Sequence, residues 1–447
     1  MAAGDQPAMK PTSTPHDSGK ALAETIFALS SGAVPAGIAV ERVSGPRAGE
    51  ALQALAGALP PARRAAARTL RDGRGEVLDR ALVLWLPGPG TATGEDVAEL
   101  HLHGGRAVVS AVERALAELP GLRAATPGEF TRRAFANGRI DLAEAEGLAG
   151  LLEAETELQR RSAMALAGGA LSQQVGEWRD RVLALSAQVE AVLDFSDEED
   201  AADLPSSFTD DGSRLAEELD QWLARPRATV LREGYRVVLA GPPNAGKSTL
   251  FNALLENEAA ITSPIAGTTR DVLERSVAVA GIPFTFVDTA GLREDESGDD
   301  IEKIGIARAQ EQLGRADLVL WLGEEGQGPT GAWEIDAKAD DQTRRAKGEG
   351  ALALSARTGF NLDRLRERLM ARARDAMPAP GEVALTERQS ALLEEARGAL
   401  AEIGAAGDPL IAAEHLRLAR SAFDRLTGRA STEHMLDALF GRFCIGK

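Results

Sequence analysis

The chain has 447 residues, enough for about three domains at roughly 150 residues each. Hydrophobic residues make up 44% and charged residues 26%, the balance of a globular chain with a sizeable core. Its 50 basic and 68 acidic residues leave a formal charge of −18, which excludes a wholesale nucleic-acid wrapper: a polyanion would need a local basic face or a partner.

Residues 1–24 are rich in proline and small polar residues and read as a disordered tail. From 25 to 140, short apolar runs such as 37–43 and 81–86 are broken by Gly and Pro, as in the turn at 87–90. Two helical stretches, 48–59 and 107–119, interleave with them, which predicts a small α+β domain. Helical sequence follows from 141 to 232. Trp178, Val182, Leu185, Val189 and Val192 recur at the spacing of a bundle helix, and a second helix is expected over 213–231. Residues 194–203 carry six carboxylates and read as a solvated acidic loop.

At residue 233 the pattern changes to α/β and stays so to 376. Helical sequence returns over 377–447, where Thr386 and Gln389 have the spacing of a capping box and Leu392, Ala396, Leu400 and Ile403 share one face. An α/β block between helical segments suggests insertion into a discontinuous helical domain. The expected fold is a multidomain α/β + α protein with three parts: an N-terminal α+β domain, a helical bundle, and, from the G-x-x-x-x-G-K-[ST] pattern at 241–248, an inserted Ras-like P-loop domain. No apolar run reaches the 18 residues of a membrane span. Cys444 stands alone, so no internal disulfide can form; with no span, this favours the cytoplasm.

Residues 241–248 match G-x-x-x-x-G-K-[ST], preceded by the apolar run 237–240 and followed by a predicted helix. Asn244, Ala245, Gly246, Lys247, Ser248 and Thr249 would wrap phosphates with backbone amides. Lys247 would reach the outer phosphates, and the Ser248 hydroxyl would ligate magnesium. Ser263, Pro264, Ile265, Ala266, Gly267, Thr268 and Thr269 stand where a GTPase places its first switch, with Thr269 a second magnesium ligand. Asp288, Thr289, Ala290 and Gly291 follow the apolar run 283–287 and form the second-switch motif. Ser355, Ala356 and Arg357 suit a backbone clamp on guanine. The guanine-reading N-K-x-D motif is incomplete: Lys338 and Asp340 are present, but Ala337 replaces Asn and the strand before it looks weak. Position 292 is Leu where Ras-like enzymes carry a water-orienting Gln, so hydrolysis needs another route.

Asn244, residues 265–271, 288–293 and 301–306, and the terminal 443–447 together resemble the MnmE (TrmE) family of tRNA modification GTPases. The N-terminal segments 42–45, 93–100, 103–105, 127–130 and 140–142 agree with it. The resemblance implies a homodimer that binds GTP, Mg2+ and a 5-formyltetrahydrofolate-like one-carbon donor. It also implies an FAD-dependent MnmG-type partner protein and a tRNA substrate, modified at carbon 5 of the wobble uridine. It assigns the folate site to Arg42, Glu99, Arg139 and Lys447, with Arg139 departing from the family's Lys. It implies K+ held by Asn244, Ser263, Ile265 and Thr268, with Glu302 orienting water and Arg270 among the catalytic residues.

Cys444 is a candidate nucleophile beside a terminal Lys; the plainer reading is a small buried side chain between Phe443 and Ile445. His101 and His103 lack a third metal ligand. Arg132, Arg133 and Arg139 are a candidate basic patch for RNA, although solvated surface is the plainer reading. The rival function is a ribosome-assembly, RNA-binding GTPase, against which the acidic helical C-terminus argues.

Overall fold

The computed structural model describes residues 24–194, 204–256, 259–260, 273–289, 310–341, 346–348, 350–403, 408–430 and 432–446. It separates into two compact units, Met1–Asp141 with Ser431–Lys447, and Leu142–Ala430.

The first unit is built on a six-stranded sheet of β1 (Thr25–Leu29), β2 (Ile38–Ser44), β3 (Ala66–Arg71), β4 (Val77–Leu86), β5 (Val97–His103) and β6 (Leu122–Ala124). Their order is β3-β4-β5-β2-β1-β6, antiparallel throughout except for the β1–β6 pair. Period-2 alternation in β2 sends Ala39, Glu41 and Val43 to one face. The helices Ala48–Ala56 and Arg106–Ala117 contribute Leu52, Leu55, Val109 and Val112 to the core on that side. A separate small core joins Ile26 and Ala28 of β1 to Phe130 of the helix Glu129–Ala136.

The sequence expectation assigned all of 377–447 to the helical domain; by contact, the described residues 432–446 group with the first unit. The physical reason is specific contact. Arg132 pairs with Glu433 and Asp437 of the helix Glu433–Phe440, and Phe440 packs 6.0 Å from Phe135.

The second unit holds two cores. In the helical one, the 25-residue helix Ala170–Asp194 buries Trp178, Val182, Leu185 and Val189, the stripe read from the sequence, with Val192 half-buried. It packs against the helices Phe208–Leu223 and Pro409–Thr427, with Phe423 stacked 5.9 Å from Trp178, and the helix Glu387–Glu402 packs on both of those to complete the core. The capping box at Thr386 and Gln389 forms, and a second one forms at Thr156 and Gln159. The single helix expected over 213–231 is instead two, Phe208–Leu223 and Ala228–Glu233, because Pro226 cannot donate an interior helical hydrogen bond.

The other core is a seven-stranded sheet of β7 (Tyr235–Ala240), β8 (Ala259–Ala260), β9 (Leu273–Val279), β10 (Ile282–Asp288), β11 (Leu318–Trp321), β12 (Trp333–Ala337) and β13 (Leu352–Leu354). Its order is β13-β12-β11-β7-β10-β9-β8; β10, β7, β11, β12 and β13 are mutually parallel, and β8–β9–β10 run antiparallel. Every residue of β7 is buried, as an apolar run flanked on both sides requires. The strand that looked weak in sequence does form, because β12 pairs with both β11 and β13.

Candidate functional site

The central strand β7 ends at Ala240, and the loop after it enters the helix Lys247–Leu255. Gly246 sits at φ +99°, a left-handed conformation that favours glycine, and serves as the N-cap without a side chain to offer. The first helical bond runs from the Leu250 N–H to the Gly246 carbonyl at 2.9 Å. The amides of Lys247, Ser248 and Thr249 therefore precede any intrahelical acceptor, at the positive end of the helix. That is the donor set for phosphate, and the exposed Ser248 and Thr249 stand at its mouth. Lys247 is buried, and its ammonium donates to the Gly241 and Pro242 carbonyls at 3.0 and 2.9 Å, inside the loop it would leave for a phosphate.

Asp288 lies buried at the end of β10, adjacent to β7, and the Thr289 hydroxyl donates to the Leu239 carbonyl at 2.9 Å. A carboxylate beside the loop and a hydroxyl at its mouth fit a hard divalent cation such as Mg2+. Asn244 is exposed at φ +60°.

The base-reading elements leave the sheet together, because Ala337 of β12 is in register with Leu354 of β13. Ser355 is buried, and its hydroxyl, hydrogen-bonded to Asp340, holds that carboxyl below the usual range, helped by the Arg357 charge. Asp340 thus stays ionised, able to accept from two ring donors of guanine. Arg357 is exposed, 4.0 Å from Asp340, and Ala356 packs on the sheet's core. One interaction was not legible in the sequence. The Lys338 ammonium donates to the Asn244 carbonyl at 2.7 Å, strapping the base-reading segment to the phosphate loop.

In the first unit, the β2–β5 register sets Arg42 opposite Glu99. Their side chains pair at 3.0 Å, His101 reaches the other Glu99 oxygen at 3.3 Å, and the Arg42 guanidinium lies 5.9 Å over Phe130. Arg139 is exposed, its stem against Gly94. The chain's end approaches the same sheet: the Ser30 hydroxyl donates to the Gly446 carbonyl at 2.9 Å. Gly446 is at φ +91°, and a Cβ there would meet the Leu29 carbonyl at 2.1 Å, so only glycine fits. Cys444 is exposed, as is Ile445, whereas Phe443 is buried; the thiol is not the packed side chain the plainer reading expected. His103 pairs with Asp79 at 2.7 Å, and among the described residues no metal-ligand cluster forms.

Of the three arginines of the candidate basic patch, Arg139 is exposed and the other two are paired inside the unit. Arg132 is tied to Glu433 and Asp437, and Arg133 is 2% exposed, bridging Glu95 and Glu129. Burial raises the Glu129 carboxyl, but hydrogen bonds from Arg123 and the Thr126 amide, with both arginine charges, outweigh it and hold it at about 2. Glu95 also accepts from the Ser44 hydroxyl at 2.7 Å. Sequence reading left this network out because its members lie far apart along the chain. Ser263, Pro264, Ile265, Ala266, Gly267, Thr268, Thr269, Arg270, Ala290, Gly291, Glu302 and Lys447 lie outside the described residues.

Two family models match the chain: the GTP-binding protein TrmE N-terminus over residues 25–139 and the MnmE helical domain over residues 142–444. The tRNA modification GTPase MnmE of Erythrobacter litoralis is 67% identical over 95% of this chain and 100% of its own length. The proteins of the same description from Novosphingobium aromaticivorans and Rhizorhabdus wittichii are 62% and 58% identical, over 95% and 98% of this chain and all of their own lengths. With the loop-to-helix phosphate cradle carried on such a chain, the conclusion is that it belongs to the MnmE (TrmE) family of tRNA modification GTPases.

Proposed function

We propose that this GTPase acts on tRNA: with an FAD-dependent MnmG-type partner and a 5-formyltetrahydrofolate-like donor, it places an aminomethyl-type group on carbon 5 of the wobble uridine. The observation that carries this reading is one chain holding both a phosphate cradle at β7 and the helix Lys247–Leu255, and a sheet where Arg42 faces Glu99 near the chain's end. The working form is a homodimer in the cytoplasm, with residues 233–376 as the inserted G domain and 25–140 as the folate-binding part.

Lys247 and the first-turn amides hold the phosphates, Ser248 and Thr269 hold Mg2+, and Asp340 with the clamp at 355–357 reads the base. In the folate site Glu99 accepts from the donor edge of a pterin, while Arg42, Arg139 and Lys447 face its anionic tail. Asn244, Ser263, Ile265 and Thr268 would hold K+, which when bound would supply positive charge to offset the negative charge that develops in hydrolysis. Glu302 orients the attacking water, with Arg270 and Cys444 the further candidates for catalysis. Mass analysis of wobble nucleosides in tRNA from a strain lacking this protein tests the reading. Loss of the modified uridine, restored by the wild-type chain and not by Lys247→Ala, is the expected result; an unchanged nucleoside profile refutes it.

A further inference from the structure

A chain of charge −18 that engages RNA needs a local basic face or a partner that supplies one. Residues 63–80 contain Arg63, Arg64, Arg68, Arg71, Arg74 and Arg80 against three carboxylates, Asp72, Glu76 and Asp79. Five of the six arginines are exposed and Arg68 is half-buried; Arg68 and Arg71 lie on β3, which pairs only with β4 among the described strands and forms the sheet's edge.

Among the described residues none of these arginines has an ion-pair partner, and two of the local carboxylates are committed elsewhere. Asp72 accepts from the Arg74 and Glu76 amides at 2.9 and 2.8 Å, shaping the β3–β4 turn. Asp79 is held by His103, through its ring at 2.7 Å and its amide at 2.8 Å. Where these guanidinium groups do bond, they bond to backbone carbonyls: Arg63 to Pro87 and Gly90, Arg68 to Ala67, and Arg71 to Gly75. Each of those bonds uses one or two of the five N–H donors and leaves the charge uncompensated.

We propose that this edge, from Arg63 through the β3–β4 turn to Arg80, docks the phosphate backbone of the tRNA substrate. The proposal rests on the reading that the chain acts on tRNA. Arg68 and Arg71 on the strand, with Arg74 in the turn after it, would meet successive phosphates, and phosphate contacts position an RNA without reading its sequence. Unlike Arg132 and Arg133, which are paired with carboxylates, these arginines keep their charge toward solvent.

The test is binding of an unmodified tRNA transcript to the full chain at several salt concentrations. The triple variant Arg68→Glu, Arg71→Glu and Arg74→Glu should bind at least 30-fold more weakly, with GTP turnover and melting temperature unchanged. The corresponding Gln variant should show a salt slope shallower by about 0.7–0.9 for each phosphate that is no longer neutralised. Equal affinity and slope in wild type and variants would overturn the docking edge alone, and would make these arginines a guard against strand pairing. A variant that keeps its tRNA affinity but changes its oligomeric state would also overturn it, by making the edge an interface between two copies. If the wild-type chain binds no tRNA, the docking edge and the reading beneath it both fail.

Discussion

Glu41 is a charge-bearing residue placed where charge is costly. It points from β2 into the apolar core under the helix Arg106–Ala117, is 0% exposed, and neither carboxylate oxygen has a hydrogen-bond partner among the described residues. Burial, with the nearby Glu113 carboxylate, pushes its pKa up to about 8. Because the folded value exceeds the unfolded one of 4.5, folding takes up a proton between those limits. Stability from this group is complete below about pH 4.5 and is lost as pH rises through 8. Glu113, also raised by burial, adds in the same direction. Glu41→Gln should therefore melt at a higher temperature than wild type at pH 8.5 and show a flatter dependence of melting on pH; parallel curves would refute the buried-acid account. Ala337 poses the opposite case, a side chain too small for its task. It is 8% exposed, and its Cβ would lie 3.7 Å from a Cβ at Gly246. Ala337→Asn should restore one hydrogen bond and tighten GTP binding by up to about tenfold. Calorimetric titration showing no gain would mean that the Lys338 strap already does what the missing amide does elsewhere.

Among the elements, the loop between β7 and its helix is the proposed seat of the nucleotide chemistry, and it is bonded to the segment after a neighbouring strand. Lys338, at φ +74° just past β12, fixes the carbonyl of Asn244, so the loop's conformation and the base-reading segment move together. Asn244 is the described member of the proposed potassium set. Replacing K+ with Na+ should lower GTP turnover at least tenfold, roughly 1.4 kcal/mol of barrier. Asn244→Ala should remove that difference between the ions. Steady-state rates that match in the two salts would exclude the cation mechanism. The helices make a contrasting point. Both capping boxes were available as local patterns, and the one at Thr386 was read from sequence; the break near Pro226 was missed because the apolar spacing continues across it.

Across the whole molecule, residues near the end of the described chain are bound beside β1. The helix Glu433–Phe440 and the tail after it belong to the N-terminal unit, and Gly446 is fixed against Leu29 and Ser30 of the segment that starts the sheet. The proposed GTP site, at the helix Lys247–Leu255, lies in the other unit. Deleting Gly446 and Lys447 should accordingly abolish binding of 5-formyltetrahydrofolate and tRNA modification while leaving GTP turnover within about twofold. Parallel loss of both activities would show that the tail serves folding.

The sequence by itself determined what is local. The phosphate loop declares itself in eight consecutive residues, the Trp178 stripe in its helical period, and the Thr386 box in a spacing of three. Each depends on backbone geometry repeated over one or two turns. What the tertiary structure decided were pairings across long separations. Arg42 meets Glu99 through strand register, Arg133 is buried against Glu95, 38 residues away, and the Ser30 hydroxyl meets the Gly446 carbonyl. A side chain's charge is visible in the sequence, but whether that charge faces solvent depends on which distant carboxylate the fold brings beside it. That is why Arg133 is spent inside the protein while the arginines of the β3 edge remain outside it.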